Sequence, residues 1–296
     1  MYCGTELGFS KTMASATKAY LDTPSGQLHY RHLGPKISIL NLRPMLLLHM
    51  SASSSRSMEK LMAKYSSFGY DCFAPDYPGF GLSYKPTTNP PNTKWYVEVV
   101  VDFCKAIGIF DAKVGLHVLG HHSGACLAVE MAYLYPSVLR SVCLVGPALM
   151  SFEERVTMKS RFFDPFNKPV ADGSHLLKTW EYLEHLGIGK DLELHQREAL
   201  DNISAWEGRN QIYGCIWEQD CMAMFKEVKL PLLCMVALDD VLYPYFHYVL
   251  ELRPDVETKE LVGGDFEPDN DVEGIIEKHA PFLEEVERKL SKVSLS

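Results

Sequence analysis

A doubly wound α/β fold is the class the sequence predicts: a mostly parallel sheet, helices on both faces, and an inserted helical cap. Three observations predict it. Short apolar runs alternate with helical periodicity through residue 146. The rhythm breaks from Pro147 to about Lys229, where the chain is polar, aromatic-rich and free of strand signals. It then returns to the end of the chain.

The elements follow in order. QLHYRHLG (27–34) alternates like an exposed strand, with His29 and His32 expected to face solvent, and MLLLHM (45–50) is continuously apolar like a central one. Residues 57–67 read as a helix, DCFAP as a strand, 94–107 as a helix, 115–120 as a buried strand, 122–135 as a helix and 141–146 as a strand. After the helical stretch, PLLCMVA (231–237) and ETKELVG (257–263) are strands, and 271–290 is a closing helix. The expected organisation is an N-terminal tail over 1–24, a core over 25–146 and 230–296, and a cap over 147–229.

Composition bounds the partners. The chain has 296 residues, 47% of them hydrophobic, enough for a large buried core. A formal net charge of -9 without a basic block argues against nucleic acid and anionic membrane, and favours a small molecule. The eight cysteines are scattered and read as reduced thiols. The N-terminus lacks the apolar core of a signal peptide, so a cytoplasmic location is expected. No apolar run reaches the ~18 residues of a membrane span. No Gly-rich phosphate loop opens a helix, so no nucleotide cofactor is implied. Oligomeric state is left open.

Four motifs lie in order where ligands bind such sheets, beyond the carboxyl ends of the strands. They are LLLHM, PDYPGFGLS (75–83), LGHHSGA and ALDDVLYP. Together they resemble the α/β-hydrolase superfamily: the strand opening the oxyanion loop, an Asp-x-x-Gly-x-Gly-x-Ser turn, the nucleophile elbow and the strand end bearing the acid. The elbow requires small residues two positions either side of its tip, because strand and helix crowd there. Gly120 and Gly124 meet that need and put His122 at the tip, where the superfamily usually has serine. The resemblance then gives Ser123 and Ser51 the oxyanion N–H groups, with Met50 where glycine is usual and His49 before it. Asp240, four residues before Pro244, matches the acid, with Asp239 as its neighbour. VGGDFEPD puts Asp265 where the histidine is expected. An ordinary Ser-His-Asp relay at those positions is absent.

Several chemistries fit these residues. His122, oriented by Asp240 or Asp265, can act as acid or base on a small hydrophobic carbonyl compound, in ester or lactone hydrolysis, C–C cleavage or decarboxylation. The chain can instead be a small-molecule-binding pseudoenzyme. One histidine with two carboxylates can also hold a divalent ion, although sequence spacing gives that no support and no metal is expected. Ser123 can be a nucleophile if His121, His247 or His175 supplies the base. His121 is expected to line the pocket floor. In DGSHLLKTW, Ser174 reads as a helix N-cap and His175 as a candidate substrate contact. EPDND (267–271) reads as a turn and helix start, with Glu267 and Asp269 able to add charge near Asp265.

Overall fold

The computed structural model describes residues 15–35 and 43–293. Eight strands form one sheet in the order β1-β2-β4-β3-β5-β6-β7-β8. They are β1 (Thr17–Thr23), β2 (Gly26–Leu33), β3 (Arg43–Leu48), β4 (Tyr70–Pro75), β5 (Leu116–His121), β6 (Leu139–Val145), β7 (Leu232–Ala237) and β8 (Glu257–Leu261). The β1–β2 and β2–β4 pairs are antiparallel and the rest parallel. The helices are α1 (Glu59–Ser67), α2 (Thr93–Ala106), α3 (Ser123–Leu134), α4 (Phe152–Phe162), α5 (Ser174–His185), α6 (Leu192–Ser204), α7 (Trp206–Ile216), α8 (Cys221–Glu227), α9 (Tyr248–Leu252), α10 (Glu267–Asn270) and α11 (Val272–Val293). None is long and apolar enough to cross a membrane.

The apolar runs read as central strands are buried on both faces. In β3, Leu46 and Leu48 enter one core layer, whereas Met45 and Leu47 enter the other. In β6, Val142 and Leu144 are split from Cys143 and Val145 in the same way. Each such side chain, fully withdrawn from water, contributes about 1.5–3 kcal/mol before entropy is charged against it. The sheet is therefore a rigid platform. Its parallel strands deliver their carboxyl ends, and the loops after them, to one edge.

Two expectations fail at the other side of the sheet. A tail through residue 24 is wrong from Thr17 onward, because β1 pairs with β2 over Thr17↔His32 to Thr23↔Gly26. As an edge strand with mostly exposed residues, β1 carries no apolar signal and is fixed by its partner instead. Residues 1–14, including Cys3, lie outside the described residues. His29 and His32 do not simply face solvent. His29 is 1% exposed and pairs with Asp76 at 2.7 Å, and His32 pairs with Asp71 at 2.6 Å. Their carboxylates come from β4 and the turn after it, a pairing that alternation within one strand does not encode.

Helices α4 to α8 lie between β6 and β7. Helix α6 is tied to the loop after β3 by Ser53 Oγ donating to Glu198 at 3.1 Å and Ser54 Oγ donating to Asp201 at 2.6 Å. Arg197 of α6 bridges Glu198 and Asp269 of α10, all three nearly buried. These contacts hang the inserted helices over the strand ends.

Candidate active site

The chain turns from β5 into α3 at His122, which has φ 49° and ψ −111° and is the only non-glycine residue with positive φ among those described. Such a backbone costs about 1–3 kcal/mol and persists only where its surroundings enforce it. Here they do. A Cβ at Gly120 would collide with the carbonyl of Gly124, and a Cβ at Gly124 with the carbonyl of Leu48, so strand and helix touch at both glycines. The tip N–H is fixed by donation to Val145 O at 2.9 Å. A third glycine, Gly146 after β6, has φ +57°, and a Cβ there would strike the His122 ring. The imidazole therefore occupies space that glycine vacates.

Three acids converge on this ring. His122 Nε2 lies 2.9 Å from Oδ2 of Asp240, in the turn after β7, and the other Asp240 oxygen accepts the Leu242 N–H at 2.6 Å. Asp265 follows β8 and its carboxylate accepts the Val241 N–H at 3.0 Å. One ligand-type atom from each of His122, Asp240 and Asp265 lies within 4.8 Å of the others, and the same is true of His121, His122 and Glu267. Glu267 is wholly buried, lies 3.1 Å from His121 Nε2, and accepts the Ala237 N–H at 3.2 Å. Either triplet has donors suited to a divalent ion, and His122 Nε2 is already engaged by Asp240.

The environment sorts these groups by charge. Burial opposes a charge on His122, but Asp240, through both its field and its hydrogen bond, together with Asp265 and Glu267, pushes the ring up to about 10. Burial acts against the Asp240 carboxylate too, and the imidazolium overrides it to hold Asp240 below its ordinary range. Burial, despite His122 and with Asp240 and Asp239 adding to it, raises Asp265 to about 7. Burial, with Asp240 adding to it, raises Glu267 well above the ordinary carboxylate value. His121 is driven well below 6.5 by burial and by the charges of His122 and His49, and stays neutral. The site thus contains the His122–Asp240 pair, a buried carboxyl behind it whose proton is favoured, and one carboxyl poised near neutrality.

A cavity opens above the pair and encloses about 720 Å³, part of it open solvent. His122, Ser123, Ser51, Met50 and Asp265 form its floor. The inserted helices supply an aromatic and aliphatic wall that includes Tyr182, Leu183, Tyr213, Ile216 and Met158, with Arg209 stacked over Phe166 and Tyr213.

The family model described as α/β hydrolase fold matches residues 43–185. Solved structures align over almost the whole chain. An enol-lactonase from Burkholderia xenovorans LB400 is 17% identical with a TM-score of 0.71, covering 90% of this chain and 99% of that one. A membrane phospholipase A is 17% identical with a TM-score of 0.75, covering 93% and 88%. Carboxylesterase work on the thaumarchaeon Nitrososphaera gargenis provides a third, 13% identical with a TM-score of 0.71, covering 92% and 100%. The chain has the α/β-hydrolase fold.

Within that α/β-hydrolase fold, the remaining candidates divide. The Ser51 N–H does not stand free for a substrate oxygen, as the resemblance implied: it donates to Ser123 Oγ at 2.8 Å. His49 is buried behind the cavity, donating from Nδ1 to Met50 O at 2.8 Å and stacked on Tyr77, so it braces the loop. His175 is not among the cavity's lining residues; its Nδ1 lies 3.3 Å from the Val170 N–H. The N-cap there is Gly173 rather than Ser174, whose own N–H is held by Asp172 at 3.0 Å. Asp239 accepts from Gly264 N at 3.1 Å, and His247 bonds Pro244 O at 2.9 Å on the surface. No histidine is thus left beside Ser123 to serve as its base among the described hydrogen bonds. Sequence reasoning saw Glu267 only as added charge; its signal is the spacing of two residues from Asp265 on one tight turn.

Proposed function

We propose that this chain is a hydrolase of small hydrophobic carbonyl compounds, esters or lactones, in which His122 and Asp265 replace the serine relay. The observation that carries the reading is His122 Nε2 at 2.9 Å from Asp240, beside the cavity-lining carboxyl of Asp265 that burial raises to about 7. Two groups whose surroundings push their proton affinities apart are the mark of an acid and base assignment. His122 keeps its proton at neutral pH and serves as a charged donor, not a base. Because Nε2 is held by Asp240, Nδ1–H is the donor for the substrate. Asp265 takes a proton from water, hydroxide adds to the carbonyl carbon, and oxygen charge is met by His122 Nδ1–H and the Ser123 hydroxyl. Ser123 can donate because its Oγ already accepts the Ser51 N–H. Collapse expels the alkoxide, which takes the proton from Asp265. The helices between β6 and β7 act as a cap that gives the cavity its apolar lining and selects a hydrophobic substrate.

The test is turnover of a panel of aryl esters and lactones against pH. Activity should rise as Asp265 ionises through about 7 and fall as His122 discharges through about 10. His122→Ala and Asp265→Asn should each lower kcat by about 10²–10⁴-fold, the range for a positioned acid or base. Chelators should leave the rate unchanged. A fluorophosphonate adduct on Ser123, or full activity in His122→Ala, would overturn the reading.

A further inference from the structure

Arg209 of α7 is one of the largest fully buried side chains, yet it lines the cavity above His122. The floor is hardly more open, with Ser123 4% and His122 6% exposed, so low exposure is what this enclosed site gives the groups around it. A guanidinium is a permanent cation, and taking one out of water is costly unless its surroundings answer the charge. Here aromatic faces and a carbonyl do so. Its Cζ lies over the rings of Phe166, Tyr213 and Tyr182, at 4.7, 5.2 and 5.8 Å from their centroids, and Nη1 donates to Asp164 O at 3.3 Å. The rings hold the cation in place without cancelling its charge. Tyr213, four residues after Arg209 on the same helix, donates from its hydroxyl to Ser51 O at 3.3 Å. Four residues of helix rise about 6 Å, so Arg209 is built into the wall one turn from the point where α7 touches the oxyanion loop.

Charge then decides what the cavity takes. Its lining holds two basic residues, His122 and Arg209, against one acidic residue, Asp265, and is otherwise neutral. A wholly apolar ligand would set hydrocarbon against the guanidinium, whereas a carboxylate meets it in the planar geometry that a guanidinium recognises. We propose that Arg209 is a specificity-determining residue that selects ligands bearing a carboxylate: the substrate is an apolar ester or lactone with one carboxylate on its body, held at Arg209 while the reacting carbonyl lies over His122 and Ser123. Two fixed points, one on the wall and one on the floor, orient the molecule between them. The place given to the reacting carbonyl rests on the hydrolytic reading above; the preference for a carboxylate does not.

The experiment uses ligands with no ester to cleave. Phenylbutyrate and its neutral isostere, phenylbutanamide, are titrated into the full chain near neutral pH and followed by calorimetry. The carboxylate should bind about tenfold or more tighter, the advantage of a charge-assisted over a neutral hydrogen bond. Arg209→Met keeps an apolar stem without the charge and should abolish that preference, Arg209→Lys should keep part of it, and His122→Asn, which removes the other cation, should leave most of it. Equal affinities for the wild-type chain, no measurable binding of either ligand, a preference that survives in Arg209→Met, or one lost in His122→Asn would overturn the proposal. If Arg209→Met fails to fold, the wild-type comparison and the His122→Asn comparison still decide. Ester and lactone turnover that fails while the carboxylate preference holds would strike the proposed hydrolysis and leave the role of Arg209 standing.

Discussion

His122 bears two opposing demands, a strained backbone and a stabilising charge pair, and variants can separate them. His122→Ala and His122→Gly both lose the imidazole, but only glycine adopts φ 49° without steric cost. His122→Gly should therefore be more stable than His122→Ala by about 1 kcal/mol in urea unfolding; equal stabilities would mean that the elbow relaxes. Gly146→Ala should cost about 1–2 kcal/mol from its positive φ alone. It should also displace the ring from Asp240 and lower activity to the level of His122→Ala. The tip was legible because Gly120 and Gly124 fix its register by sterics, and Asp240 and Asp265 because they follow recognisable strand ends. The bond from Ser51 N–H to Ser123 Oγ was not, since it depends on a side-chain rotamer and on how closely two loops approach.

Between elements, the contacts that hold α6 over the site are ionic and buried. Arg197→Ala would leave Glu198 and Asp269 without their shared cation in a nearly dry position. Breaking such a pair from one side costs about 3–5 kcal/mol, and thermal or urea unfolding of the variant should show a loss of that size. Sequence reasoning reached the inserted helices as a break in strand rhythm but not this attachment, because Arg197, Glu198 and Asp201 look like the solvated face of any polar helix. Strand β1 escaped for the converse reason. Its exposed face is polar, and its place is set by backbone pairing with β2 rather than by side-chain burial. The short helix α10 looked like a turn and helix start, and its sequence gave no sign that Glu267 lies beneath the elbow, fully buried against His121.

Across the whole molecule, the buried ionisable groups set how stability follows pH. His122 keeps its proton to about 10 when folded and about 6.5 when unfolded. Its contribution is complete below the unfolded value and lost as pH rises through the folded one. Asp265 and Glu198, both raised by burial to about 7, act in the same direction at lower pH, their contributions fading as pH climbs toward 7. Asp76 and Asp240, held low by their histidine partners despite burial, and Glu287, lowered to about 2, oppose this and lose their stabilisation only in acid. Unfolding free energy should therefore fall between pH values of about 7 and 10, with a slope of at most ~1.4 kcal/mol per pH unit for each proton released. His122→Asn should flatten that decline; an unchanged slope would assign it to other groups. The most direct measurement is the NMR titration of the chain labelled with ¹³C and ¹⁵N in histidine, with the His122 resonances identified through His122→Asn. The ring should remain an imidazolium through neutral pH and discharge near 10. A neutral His122 at pH 7 would contradict the imidazolium–Asp240 pair on which the proposed chemistry depends.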